Sequence, residues 1–281
     1  MIGVVLALTA SLSWGIGDFG GGMATRRAPV IWVVLISQVA GLALVGTMWL
    51  ATQPETPTGR ELAWGAFGGV MGAIGLSAFY RALAVGAMGV VGPISATGAI
   101  VPVVYGLARG ERPSVLQAVG IVVAVVGVIA ASLEPLPDGA GRKITTGAGL
   151  ALLAAVGFGS SILGLNRVSQ AGVVWGTLSL RLTVVPLVLL VALLVRPSTE
   201  RLRSRRLLPL LVAVGLFDAG ANLLYGASAT RGLISVVSVL GSLYPVVLVA
   251  LAYVVLRERI ARPQLAGVAL ALTGVALISA G

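Results

Sequence analysis

The stretch Gly98–Ser132, GAIVPVVYGLARGERPSVLQAVGIVVAVVGVIAAS, is written a second time near the end of the chain. The first copy runs from G-A-I-V-P at Gly98–Pro102 through a charged joint, Glu111–Arg112, to Gln117, Gly120 and Gly127. The second reads G-S-L-Y-P at Gly241–Pro245, then Glu258–Arg259, Gln264, Gly267 and Gly274. The spacing from the glutamine to both glycines is the same in each copy. From proline to glutamate there are nine positions in the first copy and thirteen in the second, so the later helix is longer by about one turn. One unit duplicated within one chain accounts for this, and it sets the domain organisation.

Composition sets the solvent. Of 281 residues, 58% are hydrophobic and only 10% charged, with a mean hydropathy of +1.05. A soluble domain carries about 25% charge and cannot hide this much apolar surface in one core. Apolar runs of about 20 residues recur between short polar joints, the pattern of transmembrane helices. The lipid bilayer is therefore the first partner. The net charge of +10 sits in the joints between the runs, which fits positive-inside anchoring and gives no reason to expect a nucleic acid. Eighteen of the 19 basic residues are arginine, a bias that, with abundant Ala, Val and Gly, suggests a GC-rich bacterial genome and hence a bacterial plasma membrane. The start does not read as a signal peptide, because no positive residue precedes its apolar run.

Ten spans are expected, at about 2–24, 30–50, 62–83, 89–108, 114–132, 147–165, 172–195, 208–229, 232–256 and 264–280. The polar, proline- and glycine-rich segment 133–146 falls at the midpoint and reads as a linker between two five-helix halves, 1–132 and 147–281. The halves align beyond the opening stretch. Gly15-x-Gly17-Asp18 matches Gly157-x-Gly159-Ser160, Ser77 and Tyr80 match Asn222 and Tyr225, and Ser95 matches Ser238. Five is odd, so the second half enters the membrane in the opposite sense. Such inverted repeats are a transporter architecture, since two halves related by an in-plane axis can rock about a site between them. The odd-numbered joints hold thirteen of the basic residues and the even-numbered ones five, which places both termini outside the cell.

These motifs resemble a known family. The Trp14-Gly15 pair, the Gly-x-x-x-Pro of spans 4 and 9, and the Glu-Arg…Gln-x-x-Gly-x6-Gly-Val joints into spans 5 and 10 are similar to the drug/metabolite transporter superfamily, in particular its ten-helix EamA-type branch. The resemblance covers essentially the whole chain. It implies an all-α membrane protein in which spans 1–4 and 6–9 wall a central cavity while 5 and 10 stand at the periphery. Cytoplasmic termini, with a basic joint between spans 2 and 3, are the family habit. Here that joint, Thr52–Glu61, is nearly neutral.

In hydrocarbon an Asp or Arg at a helix centre costs about 2.5–3.5 kcal/mol on insertion scales, so charges inside spans are functional candidates. Seven of the nine acidic residues lie in joints, which leaves Asp18 and Asp218 within spans, with Arg181 the most deeply placed base. Asp18 lies in W-G-I-G-D-F-G-G-G, where glycines let backbone approach a ligand or another helix. It is a candidate substrate and proton-coupling carboxylate, as is Asp218. Asn222 and Tyr225 follow Asp218 at i+4 and i+7 and share its face. Asp218 reads equally as the partner of an ion pair with Arg181. Arg181, with Thr177 one turn before it, could instead hold a substrate carboxylate bidentately. Trp14, Tyr80, Tyr225 and Tyr244 are expected in the wall of the site, with Gln38 beside them. Trp32, Trp49 and Trp175 lie near span ends and read as interfacial anchors. Pro102 and Pro245 occupy matching places in spans 4 and 9, where a bend could serve as a hinge.

Other chemistries are excluded or weakened. Cysteine and histidine are absent, so no thiol or imidazole can act, and no metal set or cofactor is expected. No G-x-x-x-x-G-K-[ST] loop exists, which leaves coupling to protons or to the substrate's own gradient. Ser160-Ser161 has no histidine to activate it. The sequence therefore reads as a secondary transporter, an exporter of small amphipathic metabolites such as amino acids. Efflux of cationic drugs and a non-transporting receptor or scaffold are the rivals. Spans 5 and 10, nearly free of polar residues, suit a homodimer contact.

Overall fold

The computed structural model describes residues 1–86, 88–131, 147–199 and 207–256, together with 266, 267, 269, 270, 273, 274, 276 and 277. The expected linker 133–146, the arginines between 200 and 206 and most of the tenth span lie outside the described residues. Within them all regular structure is helical: α1 (Ile2–Thr25), α2 (Val30–Thr52), α3 (Gly59–Val85), α4 (Met88–Ala96), α5 (Ile100–Ala108), α6 (Val115–Ala131), α7 (Ala148–Ser169), α8 (Val173–Val195), α9 (Leu207–Ala229), α10 (Ile234–Gly241) and α11 (Tyr244–Leu256).

Helices are what a chain this apolar must form, because lipid offers no partner to an open backbone N–H or carbonyl. Their starts are closed by side chains where the joints allow it. Thr58 and Glu61 form a reciprocal capping box on α3. On α6, Ser114 N–H donates to Gln117 Oε1 at 3.0 Å and Gln117 N–H to Ser114 Oγ at 3.1 Å, so the first of the two repeated glutamines caps a helix. Seven helical stretches among the described residues are long and apolar enough to cross a membrane: α1, α2, α3, α7, α8, α9 and the segment Ile234–Val255. Large apolar side chains such as Leu189, Leu190, Leu193 and Leu194 on α8 are exposed, which suits a lipid-facing surface.

Spans 4 and 9 were expected as single bent helices, and both are broken. A 3₁₀ turn, Thr97–Ala99, separates α4 from α5. A turn at Ser242 and Leu243 separates α10 from α11. In each case the break precedes the proline. Pro102 and Pro245 have no N–H to return to the carbonyls of Gly98 and Gly241, so the α-ladder cannot continue across that turn.

The two halves pack as mates. Trp32 Nε1 donates to the Pro197 carbonyl at 3.2 Å and Trp175 Nε1 to that of Pro54 at 3.3 Å. Both donors and both acceptors are related by the 143-residue offset that relates Pro102 to Pro245. The residues that end α2 and α8, Gln53 and Arg196, obey the same offset, and both are left-handed. These contacts set α2 and α8 side by side and antiparallel. Similarly, α1 packs along α9 and α7 along α3. The α3–α7 seam is glycine-lined: a Cβ on Gly157 would come 2.5 Å from Gly75 Cα, and one on Gly164 2.6 Å from Gly68 Cα. Gly3 of α1 meets Arg231 beyond the end of α9, whereas Gly147 before α7 meets Ala82 near the end of α3. Since Gly21 and Gly22 near the end of α1 meet Tyr80 and Leu83 near that same end of α3, the mates α1 and α7 begin at opposite ends of the bundle.

Candidate functional site

Between the halves lies a cavity of about 130 Å³, several times the roughly 10–15 Å³ that one water occupies on the same measure. Residues of α1, α2, α3, α7, α8, α9 and both broken helix pairs form its wall, and α6 contributes none of the described lining. The wall is mostly apolar, with its charged groups gathered on one side.

Two of those charged groups, with the neutral Gln38, close a ring of hydrogen bonds. Arg181 Nη2 on α8 donates to Asp218 Oδ2 on α9 at 2.8 Å. Gln38 Nε2 on α2 donates to the same oxygen at 3.0 Å, and Arg181 Nη1 donates to Gln38 Oε1. The guanidinium is almost fully buried while the Asp218 side chain keeps 22% of its surface open to the cavity. The buried charge is therefore neutralised in place, as desolvation requires. Of the two readings of Asp218, the ion pair is present, and it stands in the cavity wall.

Asp18 is different. It lines the cavity and is half-buried, with no hydrogen bond or ion pair among the described residues. Its helix explains its position. Gly17 and Gly20 press α1 against Val214 of α9, and Gly21 meets the Tyr80 ring of α3. The glycines take the packing contacts and the carboxylate between them is left to the cavity. With the Arg181–Asp218 pair cancelled, Asp18 is the one carboxyl of the described lining left without a counter-charge.

Comparison with known proteins now fixes the relationship. The model of the EamA-like transporter family matches residues 1–133 and again residues 145–280. The chain belongs to the EamA-like transporter family. That family lies in the drug/metabolite transporter superfamily and consists of membrane transporters, not enzymes, so this is an integral membrane protein of that transporter type. A solved crystal structure of a protein superposes with a TM-score of 0.76 over 98% of this chain and 95% of its own, at 19% identity, which speaks for the fold alone. A search of curated protein sequences finds no match.

In this EamA-like transporter the expected aromatic wall is only partly assembled around the cavity. Trp14 and Tyr225 line it and stack with ring centroids 5.7 Å apart, and the Tyr225 hydroxyl is 2.7 Å from Ser238 Oγ. Tyr244 lines it as well and donates to the Gly92 carbonyl at 3.3 Å. Asn222, one turn beyond Asp218, also faces it. Tyr80 does not. It is 1% exposed, stacked on Phe79 and seated against Gly21, outside the cavity wall. Of the two prolines, Pro102 reaches the wall and Pro245 does not. Sequence reasoning missed Phe158 and Leu165 of α7, which line the cavity, and took Ser161, also in the wall, only as a nucleophile candidate. Phe158 sits inside the Gly157-x-Gly159 mate of the Asp18 motif, and that was the available signal. It also missed that Gln38 and Arg181 are repeat mates at the 143-residue offset, which is why they meet.

Proposed function

We propose that the chain is a secondary transporter of small amphipathic metabolites that carry an amino group, such as amino acids. It would work by alternating access between two inverted five-helix halves, residues 1–132 and 147–281, as a ten-span exporter in a bacterial plasma membrane. The antiparallel mates and the cavity between them support that reading. The observation that carries it is Asp18, a carboxylate in the wall of a small cavity and left without a partner among the described residues. An ammonium group paired with Asp18 would place its apolar body against Trp14, Tyr244 and Phe158. Asn222 and the exposed edge of the Arg181–Asp218 pair would meet its polar end.

Coupling follows from the same group. Asp18 holds either a substrate cation or a proton, and that exclusivity exchanges one for the other across the membrane. In proteoliposomes, an imposed proton gradient should drive uptake of a labelled amino acid, and Asp18→Asn should abolish the gradient-driven part. Undiminished driven flux in that variant would remove Asp18 from the mechanism.

A second reading has its own support. Because Asp218 neutralises Arg181, no free cation among the described lining residues waits for a substrate carboxylate, and a cationic amphiphile would suit the cavity better than a zwitterion. The two separate in a thermal-stability series, since a ligand raises Tm with the logarithm of its concentration. Stabilisation by quaternary amines with no response to amino acids selects cation efflux.

A further inference from the structure

The first Glu-Arg joint, Glu111–Arg112, is not in the described cavity wall, yet its glutamate spans the two halves. Gly110, with φ +90, turns the chain after α5, and Glu111 N–H returns to the Gly106 carbonyl at 3.0 Å. The Glu111 carboxylate then reaches α10 of the other half. Its Oε1 accepts from Ile234 N–H at 2.7 Å and its Oε2 from Ser235 N–H at 3.0 Å. These are the first N–H groups of α10, and Leu233 at its N-cap supplies no side-chain partner of its own. A full negative charge on the open end of a helix also meets its dipole favourably. The seat has been cleared for it: Gly106 lies directly beneath the carboxylate, and a Cβ there would also meet Ile234 Cγ2 at 2.8 Å.

The position gives the contact its meaning. α5 and α10 pack together at one end of the cavity, while α4 and α11 pack together at the other. The second contact has its own tie, Tyr244 hydroxyl to Gly92 carbonyl, with Leu248 against Gly92. Each broken helix thus contributes one segment to each end. α10 is buried along its whole length and carries Ser238 and Gly241 in the cavity wall. Moving its start away from α5 must free both N–H groups from Glu111.

We propose that Glu111 is the latch that holds the α5–α10 end of the transport path closed, releasing the start of α10 each time that end opens. The role of the latch rests on the transport reading, whereas the contact it describes does not. Gln at this position could accept one of the two bonds without the charge, and Asp would keep the charge on a shorter arm.

The chain contains no cysteine, so Ser242→Cys in the cavity wall is a single reporter. Membrane-impermeant maleimide is added separately to right-side-out and inside-out vesicles, and the labelling rate of that cysteine is read from each face. With Glu111→Gln, labelling from the α5–α10 face should rise at least about tenfold, the scale set by losing charge-assisted hydrogen bonds, and labelling from the other face should fall. Glu111→Asp should lie between. Gly106→Ala, which pushes the carboxylate from its seat and leaves its charge in place, should reproduce the one-sided change. No change, or equal change from both faces, overturns the latch. Should Glu111→Gln fail to fold, the Gly106→Ala result decides alone. Failure of wild-type protein to exchange any labelled substrate would sink the transport reading while leaving a one-sided labelling change intact.

Discussion

Trp32 and Trp175 hold the same place in the two halves, and each gives its indole N–H to a proline carbonyl of the other half. Gln38 and Arg181 are mates too, each six residues further along α2 and α8, but one is neutral and the other charged. The tryptophans tie the bundle identically at its two ends. The second pair meets side chain to side chain in the cavity wall and draws in Asp218, which has no acidic mate. Asp18 is matched by Ser160 in the same way. In these pairs duplication has been kept where the residues tie the bundle and abandoned at the charged groups of the cavity wall, although the wall also holds mates that stay alike, Ser95 with Ser238 and Gly98 with Gly241. In this molecule, departure from the repeat is the sign of chemistry.

That contrast can be broken directly at the unlike pair. Arg181→Leu strands the Asp218 carboxylate and should cost about 3 kcal/mol of unfolding free energy, the low end of breaking a buried pair, because Asp218 keeps some exposure to the cavity. Gln38→Leu removes the smaller share. Arg181 keeps Asp218, and the loss is a donor to one and an acceptor to the other, about 1–2 kcal/mol. Denaturant titration in mixed micelles measures both. Equal losses would mean that the charge adds nothing beyond the hydrogen bonds, and the asymmetry would lose its energetic basis.

The like pair sharpens the comparison from the other side. Trp32→Phe and Trp175→Phe each delete one partly buried indole donor to a carbonyl and leave most of the ring volume. Each should cost about 1 kcal/mol, and the two should agree within error. Trp175 also stacks edge-on against Trp49 at 6.0 Å. If Trp175→Phe proves costlier, the excess measures that aromatic contact and should vanish in a Trp49→Leu background.

Much of this was legible in the sequence, and what was not has a physical cause. The repeat located both broken helices, since a proline at matching positions must interrupt the ladder in each half. The scarcity of charge singled out Asp18, Arg181 and Asp218, because hydrocarbon penalises any other choice. Faces were harder to read. A helix that meets lipid on one side and apolar protein on the other is hydrophobic all round, so periodicity does not reveal its rotation. Tyr80 was therefore expected in the cavity and stands against Gly21 instead, while Phe158 went unnoticed and Ser161 was weighed only as a nucleophile. Gln38 was read singly, although its offset from Arg181 was the same one that had already paired the prolines. The sequence also carried the breaks as bends, because a missing N–H says where the ladder fails and not how far the chain unwinds.

The smallest effect expected belongs to a group that the paired ring leaves out. Thr177 precedes Arg181 by one turn on α8, is fully buried, and its hydroxyl finds no partner among the described residues. Arg181 Nε is likewise without a partner among the described residues. A buried hydroxyl without a hydrogen bond loses its hydration and gains nothing in return, so Val of nearly the same shape should be no worse there and could add up to about 1 kcal/mol. Thr177→Val should therefore leave Tm unchanged or raise it slightly, with the Arg181–Asp218 pair undisturbed. A clear loss of stability would show that the hydroxyl is bonded in the membrane after all, and the neighbouring Arg181 Nε would be the first group to test as a sharer of that bond. Transport measured on the same variant adds the decisive contrast: stability held with activity lost would move Thr177 from the scaffold to the substrate path, and place it with Gln38 and Arg181 among the residues where the two halves have diverged.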